Sequence, residues 1–179
     1  MKSPFLKRIS VFILLALISV TLNAEVKLPK VLSSNMVLQR DMPLTIWGWA
    51  EKKETVTVSF NGQQVSTEAG KNGEWQVQLQ PMGLGGPYEM QVKGENSTIS
   101  LTNILMGDVW ICSGQSNMEM PLISNWATLN NAQEEVAHAD YPEIRLLNVQ
   151  NSISFNEEKD ILAGSWKVCN PENIADFSA

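Results

Sequence analysis

Histidine and cysteine are scarce in this chain. Among 179 residues there are one histidine and two cysteines, and His138, Cys112 and Cys169 are far apart in the sequence. Zinc sites need several such ligands, usually at close spacing. We therefore predict no metal site and no metal cofactor.

A surplus of basic residues is also missing. The chain has 13 lysines and arginines against 19 aspartates and glutamates, which gives a formal net charge of −6. Nucleic-acid binding needs a basic patch, whereas the basic residues here are scattered. We predict that the chain binds no nucleic acid, and that any anionic ligand is bound locally by particular arginines or backbone amides.

The N-terminal apolar run is too short for a typical membrane span. It extends from Ile9 to Val20, follows three lysines and arginines, and precedes Ala24. This order is typical of a secretory signal peptide. A retained membrane anchor is disfavoured, because a membrane span needs about 20 apolar residues. We predict that residues 1–24 are a signal peptide, that the protein is secreted or periplasmic, and that it has no membrane partner after cleavage.

Export would place the two cysteines in an oxidising compartment, where they can form a disulfide. Cys112, however, falls in a stretch predicted to be a buried strand, and buried free cysteine is common. The sequence allows either a disulfide or two free thiols, and free thiols are favoured.

Short stretches of alternating apolar and polar residues follow as far as Leu105. TVTVSF (55–60) and EWQVQLQ (74–80) each place three apolar side chains on one face. Such alternation predicts strands, and Asn61-Gly62 predicts a hairpin turn. Several short strands separated by turns predict an antiparallel β-sandwich over residues 25–105.

The pattern changes after Gly107. DVWICSG (108–114) is a continuous apolar run, typical of a strand covered on both faces. Residues 128–139 have apolar side chains at helical spacing, IRLLNV (144–149) predicts a strand, and Pro171 fits a helix start. Strand, helix, strand is the start of a parallel α/β domain over residues 106–179. Two strands cannot complete such a sheet, so we expect this domain to be truncated.

The stretch SGQSN (113–117) directly follows the apolar run and contains Ser116. In α/β sheets, ligands bind beyond the carboxyl ends of the strands. A serine there can be activated by an imidazole, and its backbone N–H can stabilise the oxyanion that forms when it attacks an ester. On local pattern alone, a plain polar turn is favoured, because GQSN is not the Gly-x-Ser-x-Gly motif of many hydrolases.

Longer blocks favour the esterase interpretation. GDVWICSGQSNMEMPL (107–122) closely resembles the nucleophile block of the sialate O-acetylesterases, carbohydrate esterases of the SGNH-hydrolase superfamily. LPKVLSSNMVLQRDMPLTIWGWA (28–50), YPEIRLLNV (141–149) and WKVCNPENIADFSA (166–179) also resemble that family. The resemblance covers residues 26–179. It implies a mixed fold, with an N-terminal antiparallel β-sandwich followed by the start of a flavodoxin-like SGNH α/β domain with a parallel sheet.

The resemblance also implies a role for Ser116, which would be the catalytic nucleophile, with its N–H as one oxyanion donor. From their position beside this serine in the sequence, we predict that Gln115, Asn117 and Glu119 are substrate-binding residues. The family's other oxyanion donors, its catalytic histidine and its aspartate belong to later blocks that this chain lacks.

Two titratable residues are poor candidates for the missing partners. His138 lies on the polar side of the predicted helix, where a solvent-facing role is favoured. Asp108 precedes the predicted strand, at the end away from Ser116, and a turn or capping role is preferred.

The resemblance implies a carbohydrate O-acetylesterase that hydrolyses O-acetyl esters of sialic acid or related sugars and needs no cofactor. We expect this chain to be inactive by itself, because a serine without a base loses most of its nucleophilic strength. The alternative is a non-enzymatic, secreted carbohydrate-binding β-sandwich module, which the missing histidine favours. The oligomeric state is not predicted.

Overall fold

The computed structural model describes residues 25–126 and 129–177. The predicted signal peptide, residues 1–24, lies outside the described residues. Within those ranges the protein is mostly strands with few helices, and none of the helices has the length and apolar character needed to cross a membrane. The elements are β1 (Val37–Gln39), β2 (Leu44–Trp49), β3 (Thr55–Phe60), β4 (Gln63–Glu68), β5 (Glu74–Leu79), β6 (Gly85–Lys93), β7 (Thr98–Gly107), a 3-10 helix (Ser116–Glu119), α1 (Ala132–His138), β8 (Tyr141–Leu147), β9 (Trp166–Cys169) and α2 (Pro171–Ile174).

Residues 25–107, named the β-region here, contain two sheets. The larger sheet has five strands in the order β1-β7-β6-β3-β4, and the smaller pairs β2 with β5. The predicted all-antiparallel arrangement is wrong for one pair, since β1 runs parallel to β7 with Val37 opposite Leu105. Parallel pairing needs a long connection between the strands, and here the whole of β2 to β6 supplies it.

The two sheets share one hydrophobic core. The predicted inward faces are confirmed, because the alternate residues of β3 and β5 are buried. The predicted Asn61-Gly62 turn is also confirmed: both residues have positive φ, 45° and 77°, as a type I′ hairpin turn requires. Buried side chains from both sheets include Ile46, Val56, Val58, Phe60, Trp75, Val77, Leu79, Met90 and Val92.

Residues after the β-region form a second, smaller cluster. Strands β8 and β9 pair antiparallel, and their buried Leu146 and Cys169 pack with Ala139, Ile174 and Phe177. The predicted helix over 128–139 is confirmed for Ala132–His138, while its first predicted residue, Thr128, lies outside the described residues. The predicted start of α2 at Pro171 is confirmed.

The buried strand predicted over 108–114 is wrong. These residues lie in no strand, and Trp110 and Ile111 are 85% and 91% exposed. A strand needs a partner for its backbone N–H and C=O groups, and β8 pairs with β9 instead of with this segment. No parallel sheet forms within residues 108–126 and 129–177, so the division into a β-sandwich and an SGNH-type α/β domain stays a prediction.

Candidate active site

Ser116 is at the surface of the protein. It begins the 3-10 helix Ser116–Glu119 and is exposed. The turn is closed by the N–H of Met118, which donates to the carbonyl oxygen of Gln115 at 2.8 Å. Within the described ranges the Ser116 hydroxyl makes no hydrogen bond, so it is accessible to a substrate.

Gly114 allows the segment before Ser116 to fold back on itself. A Cβ atom at position 114 would lie 2.6 Å from Cγ of Met118, which is closer than real Cβ contacts. The absence of a side chain at 114 therefore lets Met118 pack against the backbone.

A cavity of about 1060 Å³ opens beside this segment. Glu119 lies on its wall, as do Ser113 and Gly114, whereas Ser116, Gln115 and Asn117 lie next to the wall and do not line it. The second part of the wall comes mainly from β8, β9 and the connection between them. Its residues include Arg145, Leu147, Asn148, Val149, Gln150, Asn151, Ala163, Gly164 and Trp166, together with Val31 of the β-region.

Glu119 is hydrogen-bonded to the part of the wall that β8, β9 and their connection form. Its Oε1 accepts a hydrogen bond from Nδ2 of Asn151 at 2.7 Å. A carboxylate and an amide therefore meet at the cavity and can both bind sugar hydroxyl groups. Glu119 was singled out from the sequence but Asn151 was not, because it lies 32 residues further along the chain.

Arg145 is the basic side chain of the cavity wall, among the described residues that line it. Its Nη2 donates to Oδ1 of Asn103 at 3.2 Å, and its Nη1 donates to the carbonyl oxygen of Pro142. Burial lowers the pKa of Arg145, and the charge of Glu143 opposes this only partly. Sequence reasoning missed Arg145, although a charged residue inside the apolar run IRLLNV was a usable signal.

Asp108 anchors the start of the 108–119 segment. Its carboxylate accepts hydrogen bonds from Nε and Nη2 of Arg40, at 3.0 and 3.3 Å. These hydrogen bonds lower the pKa of Asp108, while burial acts in the opposite direction. The next residue is held as well, because the N–H of Val109 donates to Oε1 of Gln39 at 2.9 Å. Both contacts fit the structural role preferred for Asp108.

His138 lies away from the cavity. It is exposed in the last turn of α1 and is not among the described residues that line the cavity wall. It is also the single histidine of the sequence. The described wall therefore holds no imidazole that could activate Ser116.

The two cysteines are free thiols in different environments. Cys112 is exposed, contrary to the expected buried strand, and Cys169 is buried. Burial raises the pKa of Cys169, so less of it is the reactive thiolate at any given pH.

We expect N-ethylmaleimide to label Cys112 rapidly and Cys169 at least about a hundredfold more slowly, because both access and thiolate fraction are reduced at the buried site. Mass spectrometry of the native protein over time measures the two rates. Cys112→Ser should remove the fast phase and leave the slow one. Two equally fast sites would contradict the burial of Cys169.

The fold resembles that of a solved carbohydrate esterase. The crystal structure of a carbohydrate acetylesterase from Xanthomonas citri matches with a TM-score of 0.81 at 35% identity, covering 86% of this chain and 35% of that chain. Curated sialate O-acetylesterases from Homo sapiens and Pongo abelii are 33% and 32% identical to this chain over 157 residues. No protein-family model matches.

The solved structure indicates the class, the carbohydrate esterases. Within that class, the chain belongs to the sialate O-acetylesterase family, which confirms the resemblance found in the sequence. Each of the two curated relatives aligns with 80% of this chain, whereas the chain spans only 29% of their length.

Proposed function

We propose that the protein is a serine esterase that removes O-acetyl groups from sialic acid or a related sugar. The observation that carries this proposal is the exposed hydroxyl of Ser116, on a segment that borders a cavity of about 1060 Å³. Ligand cavities for small molecules are typically of this order. The names of the relatives, a carbohydrate acetylesterase and sialate O-acetylesterases, support an acetylated sugar as the substrate.

In the proposed reaction, Oγ of Ser116 attacks the carbonyl carbon of the acetyl group. The bond from that carbon to the sugar oxygen breaks, and the sugar leaves as an alcohol with the proton that Ser116 gave up. Water then attacks acetyl-Ser116 and releases acetate, which regenerates the serine. The N–H of Ser116 stabilises the oxyanion of both steps, Gln115, Asn117 and Glu119 bind the sugar, and no cofactor takes part.

The proton acceptor for Ser116 is a separate part of the proposal. His138 is exposed and lies outside the described cavity wall, so we assign it no role. A positioned base contributes about 10²- to 10⁴-fold to such reactions. We therefore propose that these 179 residues by themselves are close to inactive.

We also propose that residues 1–24 direct the protein to a secreted or periplasmic location, because their sequence has the order of a signal peptide.

The second candidate is a carbohydrate-binding module without enzymatic activity. The observation that favours it is the lack of an imidazole on the described wall, because an unassisted serine is a weak nucleophile. The two candidates share a sugar ligand and differ only in whether acetate is released.

An acetate-release assay separates the two candidates. The complete gene product and the 179-residue chain are each incubated with O-acetylated sialic acid and with an acetylated neutral sugar. We expect the complete product to release acetate and the 179-residue chain to do so at least about a hundredfold more slowly, since it lacks the base. Sugar binding without acetate release by the complete product would favour the binding module and contradict the esterase.

A further inference from the structure

Two residues near the start of the β-region are joined closely to the connection between β8 and β9. The carboxylate of Asp160 accepts hydrogen bonds from the backbone N–H of Lys30 at 2.7 Å and from its Nζ at 2.8 Å. Nζ of Lys30 also donates to the carbonyl oxygen of Ile161 at 3.0 Å. A single lysine is thus held by its backbone and by its side chain at once.

Val31, the residue after Lys30, extends this contact to the cavity. Nε1 of Trp166 donates to the carbonyl oxygen of Val31 at 2.8 Å, and the Trp166 side chain packs against the core of the β-region. Both Val31 and Trp166 line the cavity. The contact between the β-region and β9 is therefore also a part of the cavity wall.

The carboxylate of Asp160 has its charge at neutral pH. Burial raises the pKa of Asp160, but the hydrogen bonds and the charge of Lys30, with the N–H of Ile161, outweigh it and lower the pKa overall. Lys30 and Asp160 are both partly exposed, so the pair adds little to global stability.

We propose that Lys30 and Val31 are positioning residues, which hold Asp160 and Trp166 so that β9 and the preceding connection form one wall of the sugar-binding cavity. The β-region is then a structural part of that cavity and not a separate binding module. This inference rests on the proposed esterase function for its kinetic consequences. Its structural part stands on the hydrogen bonds between the two regions.

Asp160→Ala in the complete gene product tests the kinetic consequence. It removes the acceptor of the two hydrogen bonds that Lys30 donates to Asp160 and leaves the one to the carbonyl oxygen of Ile161. We expect KM for the O-acetylated sugar to rise about tenfold, because displaced binding groups lose contact with the sugar. The small ester 4-nitrophenyl acetate needs no sugar contacts, so its kcat should stay within about twofold. Asp140→Ala, which removes an exposed carboxylate outside the cavity wall, is the matched control and should change neither value.

A graded series strengthens the test. Asp160→Asn keeps an acceptor for the Lys30 N–H but loses the charge, so its KM should lie between those of wild type and Asp160→Ala. Trp166→Phe keeps an aromatic ring, though a smaller one, and loses the N–H donor, and it should also raise KM. Equal losses on the sugar ester and on 4-nitrophenyl acetate would indicate general damage to the protein and would overturn the positioning role.

Hydrogen exchange provides a measurement that does not depend on activity. In Asp160→Ala we expect the amides of residues 162–168 to exchange about tenfold faster than in wild type, because their local opening becomes easier, while β3 and β5 keep their protection. The amide of Ile161 is left out because it donates directly to Oδ1 of Asp160 at 2.9 Å. Unchanged exchange in 162–168 overturns the inference even if the enzyme is active. Faster exchange in a protein with no esterase activity would support the structural role of Lys30 and reject the proposed function separately.

Discussion

Replacement of Ser116 by alanine in the complete gene product is expected to lower kcat for acetate release by about a thousandfold or more, since loss of a nucleophile leaves only the assistance of the remaining site. KM should change little, because the sugar contacts assigned to Gln115, Asn117 and Glu119 remain. The fold should also be preserved, because Ser116 is exposed and its hydroxyl binds no other residue in the described ranges. Steady-state kinetics on an O-acetylated sugar and a thermal melt measure the two effects.

Ser113 provides a matched control three residues earlier. It is also exposed and lines the cavity, so Ser113→Ala removes the same hydroxyl from the same segment. We expect its kcat to stay within about threefold of wild type, as for a residue without a covalent role. Normal turnover by Ser116→Ala would remove Ser116 from the mechanism, and a large loss in Ser113→Ala alone would assign the nucleophile to Ser113.

Replacement of Phe60 by alanine is expected to lower the free energy of unfolding by about 3 to 5 kcal/mol. Phe60 is 1% exposed and belongs to the core shared by the two sheets. Its ring meets that of Tyr88 edge to face, with centroids 5.8 Å apart and planes at 79°, an arrangement that adds stabilisation beyond area alone. Total stabilities of domains are about 5 to 15 kcal/mol, so this loss is a large fraction.

Phe155 provides the control for the core prediction. It is 99% exposed, so Phe155→Ala makes the same chemical change without opening a cavity and should alter stability by no more than about 0.5 kcal/mol. Urea unfolding of the two variants and wild type measures the difference. Similar stabilities for Phe60→Ala and Phe155→Ala would contradict the packing of the β-region.

The strands of the β-region could be predicted wherever alternation and turn residues agree. TVTVSF fixes which face of β3 is buried, and Asn61-Gly62 fixes the register of β3 with β4. The parallel pairing of β1 could not be predicted. Strand β1 has three residues, too few for a pattern, and its partner β7 lies at the other end of the β-region.

The error over residues 108–114 has a related cause. An apolar run indicates that a segment is suited to burial, but a strand also needs a neighbour whose backbone groups are free. That neighbour is set by the pairing of other strands, here β8 with β9, and no local pattern encodes it. The exposed Trp110 and Ile111 show the difference between suitability for burial and actual burial.

Only some residues of the candidate site could be predicted from the sequence. Ser116 and Glu119 belong to one short motif, so sequence reasoning found both. Arg145, Asn151 and Val31 reach the cavity from other segments, through contacts that span many residues of the chain. Their participation depends on tertiary packing and could not be predicted from spacing.

The parallel pair of β1 and β7 also determines when the site can assemble. Arg40 and Asp108, just past the ends of these two strands, are 68 residues apart in the chain. Closing so long a loop costs chain entropy that only the finished contacts repay, and such distant pairings slow folding. We therefore expect the anchor of the 108–119 segment to form late in folding, only once β1 and β7 have paired.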